Sequence, residues 1–254
     1  MIIQLAVAAA GAAPKAAEYG LLPALKQGGP VTIATFSILV IMSIGTLFIA
    51  FVKVYEQQKI MTQGAKVRAS FWNHATLAEA AAKVERDTPY RQIVDDGLRA
   101  QDQHTLLADS QDQHDWTATV MNRARIAIES KLKGGLSFLA TVGSTAPFVG
   151  LFGTVMGILN ALVKIGASGQ ASIDTVAGPV GEALYMTAIG LGVAVPAVLL
   201  YNWLQSRNKQ ISEELVAFSN SVQAWLSSNG AVKPVSVRAA AKAPAKPAAA
   251  SAKA

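Results

Sequence analysis

Between Lys133 and Lys164 the chain reads GGLSFLATVGSTAPFVGLFGTVMGILNALV, thirty residues (134–163) without a charge. A helix needs roughly 20 apolar residues to cross a bilayer, and in lipid only helices and closed barrels satisfy every backbone N–H and C=O internally. Two further runs, residues 31–52 and 183–206, are also uncharged and long enough to span. The third extends backwards, because residues 175–181 carry no charge and Pro179 is tolerated in a first helical turn. Of the 254 residues, 52% are hydrophobic and 15% charged, against about 25% charged in soluble domains. An ordinary soluble domain is excluded. The expected fold is an all-α integral membrane protein with transmembrane helices at residues 31–53, 134–163 and 179–206.

Lysine and arginine near the span ends set the orientation. Lys53, Lys59, Lys66 and Arg68 follow the first span, Arg123, Arg125, Lys131 and Lys133 precede the second, and Arg207 and Lys209 follow the third. The other side has Lys15, Lys26 and Lys164. The N-terminal segment (1–30) and the loop 164–178 are therefore expected outside, and the loop 54–133 and the C-terminus inside. The inner loop carries eleven acidic residues from Glu56 to Glu129 and few glycines, which predicts helices. Its apolar residues Leu98, Leu106, Leu107, Val120, Ile126 and Ile128 are sparse for a self-sufficient core, so these helices are expected to extend the membrane helices and pack together. Ile211, Leu215, Phe218, Val222 and Leu226 recur at helical spacing, predicting a helical extension over 207–228. The Ala/Lys/Pro-rich segment 229–254 buries too little to fold and is expected to be disordered. Small residues at 8–13 resemble a signal-peptidase site, but there is no basic n-region; an amphipathic surface segment is the alternative.

Composition narrows the chemistry. Without cysteine there is no disulfide, thiolate metal site or thiol nucleophile. The net charge of +6 owes much to seven Lys/Arg from Arg207 to Lys253, where no aromatics are interleaved for nucleic-acid stacking. His74, His104 and His114 lack metal-ligand spacing, residues 150–157 lack the lysine of a phosphate loop, and no nucleophile–base set is apparent. No enzyme, cofactor, metal or nucleic-acid partner is expected.

The second span carries a stripe at alternating spacings of four and three: Gly143, Pro147, Gly150, Thr154, Gly157, Ala161. The third repeats it with Ala183, Thr187, Gly190, Ala194, Ala197. Each set forms one helix face, and small faces let backbones approach closely in lipid. Thr154 lies nine residues before Val163 and Thr187 nine after Gly178. Antiparallel helices thus place both hydroxyls at one level, roughly 13 Å inside. They could line a narrow polar path, or each could bond the carbonyl four residues back. Glu182 is the one acidic residue near the membrane interior. It is about 140° around the helix from Thr187, which suits the outer mouth of an ion route; a solvated carboxylate at a helix N-terminus is the alternative.

The run Gly143-Ser-Thr-Ala-Pro-Phe-Val-Gly-Leu-Phe-Gly-Thr-Val-Met-Gly-Ile158, with Gly181-Glu-Ala-Leu-Tyr-Met-Thr-Ala-Ile-Gly-Leu191 and Val195-Pro-Ala-Val-Leu-Leu-Tyr-Asn202, resembles the MotA/TolQ/ExbB proton-channel family, and its ExbB branch most closely. The resemblance covers about residues 131–226; the first span matches only in topology. It implies a bacterial inner-membrane pentamer enclosing a pair of single-span ExbD-like helices and energising a TonB-like protein for outer-membrane uptake. It also implies that Thr154, Thr187 and Glu182 line the pore and that the partner supplies the essential carboxylate. A TolQ-like role in envelope constriction and a non-conducting membrane scaffold are the competing readings. A flagellar-stator subunit would have four membrane helices rather than three.

Overall fold

The computed structural model describes residues 29–104, 106, 112–168, 173–228 and 230–232. The N-terminal segment to residue 28, where a signal or surface helix was expected, and the tail from residue 233 lie outside them. Among the described residues six α-helices follow in order: α1 Gly29–Ser70, α2 Leu77–Lys83, α3 Pro89–His104, α4 Gln113–Lys133, α5 Leu136–Ser168 and α6 Ile173–Ser227, with a 3-10 turn at Phe71–Asn73 between α1 and α2. Among the described residues there is no strand. Three stretches, Gly29–Asn73, Gln113–Ala167 and Ala183–Ser227, are long and apolar enough to cross a membrane. Only 22%, 24% and 28% of their most apolar windows are buried, so most of that hydrocarbon faces outward. Phe148, Phe51 and Ile41, for example, are 71%, 76% and 68% exposed. Lipid or other helices must cover such surface.

The chain divides into two units. The apolar unit comprises residues 29–52 and Gly135–Leu204, the charged unit Lys53–Gly134 and the residues from Gln205 onward; α1 and α6 contribute to both. In the apolar unit Leu39 of α1, Val142 and Ala146 of α5, and Ala194 and Ala197 of α6 form the core. Three of these five are alanines, because the helices meet backbone to backbone rather than through large side chains.

The charged unit has its own core, formed where the helices of the loop pack with the extensions of α1 and α6. Ile60, Val67 and Phe71 meet Tyr90, Ile93 and Val94 of α3, Met121 and Ile128 of α4, and Ile211, Leu215, Phe218 and Val222 of α6. The rings of Phe71 and Phe218 lie 5.1 Å apart edge to face, and Tyr90 and Phe218 5.2 Å. Eight of these twelve residues lie within 54–133, and α6 closes the core with the other four. Two apolar residues of the loop stay out of this core: Ile126 is 56% exposed and Leu106 83%.

The short helices are fixed locally. Thr76 caps α2 by accepting from the Glu79 N–H at 3.2 Å, and Asp112 caps α4 by accepting from the His114 N–H at 3.1 Å. At its other end α4 stops at Gly134, and Gly135 follows at φ +81, a left-handed conformation that glycine adopts without strain. The last α4 carbonyls then find side-chain donors. Lys53 Nζ donates to the Lys131 carbonyl at 2.9 Å, and Asn208 Nδ2 to the Leu132 carbonyl at 2.9 Å. Gln57 Nε2 donates in turn to Asn208 Oδ1 at 2.7 Å, with both residues buried.

Candidate functional site

The site is built where α5 and α6 run antiparallel. A side-chain carbon added at Gly150 would lie 2.6 Å from the Met186 carbonyl oxygen and 3.2 Å from Thr187 Cα. One added at Gly190 would lie 2.7 Å from the Ala146 carbonyl oxygen and 3.0 Å from Gly150 Cα. Gly157 faces Ala183, and Gly143 faces Val198. Real Cβ atoms do not sit this close to backbone oxygens, so both crossing positions must be glycine. Ala161, Ala183 and Ala194 are buried at 4%, 5% and 4% exposure, and Pro147 is half-buried within α5.

This approach brings the two threonine hydroxyls together. Thr154 Oγ1 and Thr187 Oγ1 are 2.5 Å apart. Thr154 Oγ1 also lies 3.1 Å from the Gly150 carbonyl oxygen and 3.3 Å from that of Ala183. Each hydroxyl owns one proton. When Thr154 gives its proton to either carbonyl, Thr187 donates to Thr154. When Thr154 donates to Thr187 instead, the Thr187 proton is released to point away. Rotation of two hydroxyls therefore reverses the direction of the hydrogen bond, the step that a proton relay requires. Thr154 is 6% exposed and Thr187 half-buried, so one end of the pair is sealed and the other is open.

Glu182 lies on α6, but its side chain is outside the described residues, as is that of Lys164 on α5. Among the described side chains of the apolar unit none is charged. The pair thus offers hydroxyls and carbonyl oxygens.

A third helix contributes residues that the spacing argument passed over. Thr32, Thr35 and Thr46 of α1 are 4%, 3% and 2% exposed. Thr35 donates to the Val31 carbonyl at 2.9 Å, and its methyl lies against Gly153. Among the described residues the Thr46 hydroxyl has no hydrogen-bond partner. Their signal was present as Thr32, Thr35, Leu39, Thr46 and Ala50, a buried stripe at steps of three, four and seven.

Comparison with known proteins identifies the family. A model of the MotA/TolQ/ExbB proton channel family matches residues 85–217. The biopolymer transport protein ExbB of Xanthomonas campestris pv. campestris (strain B100) is 34% identical over 205 residues, covering 77% of this chain and 81% of that protein. The protein of the same name from Neisseria meningitidis serogroup A is 34% identical over 207 residues, covering 79% of this chain and 94% of its own length. The Tol-Pal system protein TolQ of Pseudomonas aeruginosa is 46% identical over a shorter stretch of 110 residues, 42% of this chain and 48% of that protein. With a buried hydroxyl pair at a glycine crossing between two apolar helices, and with relatives matched over most of its length, the chain belongs to the MotA/TolQ/ExbB proton channel family.

Proposed function

We propose that the chain is an ExbB-like subunit of an inner-membrane complex that uses the proton motive force to energise a TonB-like protein, and through it uptake across the outer membrane. The observation that carries this reading is the contact of Thr154 with Thr187 at 2.5 Å, formed on otherwise small-residue faces. In this reading residues 31–53, 134–163 and 179–206 lie in the bilayer, with the N-terminus periplasmic and the C-terminus cytoplasmic, as the lysine and arginine distribution favours. Five copies surround a dimer of single-span ExbD-like helices. Thr154 and Thr187 hand protons towards a carboxylate on that partner, with Glu182 at the outer mouth. The remaining small faces let the helices close tightly enough to exclude bulk water, so that a proton moves only through the relay.

ExbB-type relatives match 77% and 79% of the chain, against 42% for the TolQ relative, which favours nutrient uptake over envelope constriction. Deleting the protein from its host separates the two roles. Iron starvation with an intact envelope is expected; detergent sensitivity and septation defects would assign the TolQ-like role. The channel itself is tested by proton flux into liposomes holding the chain and its single-span partner under an imposed pH gradient. Flux that requires the partner and falls about tenfold or more in Thr154→Val/Thr187→Val is expected, the loss of a hydrogen bond to a charged group being of that size. Flux equal to wild type in the double variant would remove the hydroxyls from the path.

A further inference from the structure

A cleft of about 490 Å³ opens in the charged unit between α1, the turn leading into α3, and α4. Its floor is aliphatic, formed by Ile60, Ile128 and Leu132, all buried. Its rim carries both signs of charge, and three of its four carboxylates, Glu56, Asp95 and Asp96, are already paired with cations. Lys53 sits 2.7 Å from Glu56, and Arg91 Nε 2.8 Å from Asp95. Asp96 lies 3.9 Å from Arg99, and Lys59 turns to Glu85 at 3.1 Å. Two cations remain. Arg86 and Lys131 line the cleft, are exposed, and make no ion pair among the described residues. Asp87 lines it as well and makes no ion pair among the described residues, and Gln92 adds an uncharged amide.

This combination selects a ligand class. A phosphate or a lipid headgroup phosphate only accepts hydrogen bonds; it would satisfy Arg86 and Lys131 but offer no donor to Asp87 beside them. An extended peptide supplies every element at once. One of its N–H groups serves Asp87, its carbonyls accept from Gln92, an acidic side chain meets Arg86 and Lys131, and a neighbouring aliphatic side chain rests on the floor of Ile60, Ile128 and Leu132. We propose that this cleft binds an extended peptide segment of a partner protein, one carrying an acidic residue next to an aliphatic one. The inference stands whether or not the chain conducts protons.

The test uses the full chain in nanodiscs and the fluorescein-labelled peptide Gly-Leu-Glu-Asp-Leu-Gly, with Gly-Leu-Gln-Asn-Leu-Gly as its uncharged counterpart, read by fluorescence anisotropy. The acidic peptide is expected to bind, and its affinity to fall about tenfold or more both in the counterpart and in the Arg86→Gln/Lys131→Gln variant. Arg86→Glu is expected to favour Gly-Leu-Lys-Lys-Leu-Gly instead. Both positions are exposed, so the variants keep the fold. Equal binding of the acidic and uncharged peptides, or no binding of either up to about 1 mM, would overturn the proposal. Displacement of bound peptide by short-chain phosphatidylglycerol would overturn it too, and would reassign the cleft to a headgroup.

Discussion

At the scale of single residues, the hydroxyls and a tyrosine give separate handles on path and stability. Thr154→Ser keeps the oxygen and its carbonyl contacts, whereas valine keeps the shape and loses the oxygen. Liposome flux is therefore expected near wild type in the serine variant and strongly reduced in the valine variant. Serine behaving like valine would mean that the methyl group, not the hydroxyl, matters. In the charged unit the Tyr90 hydroxyl donates to Glu214 Oε2 at 3.3 Å, and Arg68 bonds the same carboxylate. Burial, followed by the Glu214 charge, raises the Tyr90 phenol from its usual 10.0 to about 12, with Arg68 opposing. Because the folded value lies above the unfolded one, the stability it confers is complete below pH 10 and disappears as pH rises towards 12. Urea unfolding followed by tryptophan fluorescence is expected to show this alkaline loss in the wild type and not in Tyr90→Phe. The common depth of Thr154 and Thr187 was legible as spacing. Their contact was not, because it depends on how closely two backbones approach, and Gly150 and Gly190 set that distance.

At the scale of elements, the α5/α6 crossing couples packing to the hydroxyl pair. Gly150→Ala places a methyl against the Met186 carbonyl and beside Thr187 Cα, so the helices must separate, at a cost of about 1–3 kcal/mol. Its thermal midpoint in detergent is expected to fall, and partner-dependent flux with it, although no hydroxyl has been touched. Gly192 is the matching control: an added carbon there meets nothing within 4 Å. Gly192→Ala is expected to leave the midpoint of the isolated chain unchanged or slightly higher, as helix propensity alone dictates. Equal effects at the two positions would deny the crossing its special role. The three long helices were legible because unbroken uncharged runs have few other solutions. The α1 threonine stripe was overlooked because hydroxyls spaced three and eleven apart within a run rich in Ile, Val, Leu and Phe stand out little.

At the scale of the whole molecule, the chain combines two solutions to the problem of burial. The apolar unit leaves most of its hydrocarbon outside and closes on glycine and alanine, while the charged unit buries Phe71, Phe218 and Trp225 much as a soluble domain would. Phe71→Ala is expected to destabilise the charged unit by about 3–5 kcal/mol, read as an earlier urea transition of Trp72 and Trp225 fluorescence. An unshifted transition would mean that the aromatic cluster does not hold that unit together. Its core was hard to foresee because it is assembled from segments far apart in the chain, with Ile60 and Val67 at one end and Ile211 to Val222 at the other. The same separation governs how α4 is finished. The Leu132 carbonyl accepts its hydrogen bond from Asn208, 76 residues downstream, so during synthesis that end of the helix stays hydrated until residue 208 has left the ribosome. A product halted before residue 208 lacks that donor and leaves the Leu132 carbonyl to water.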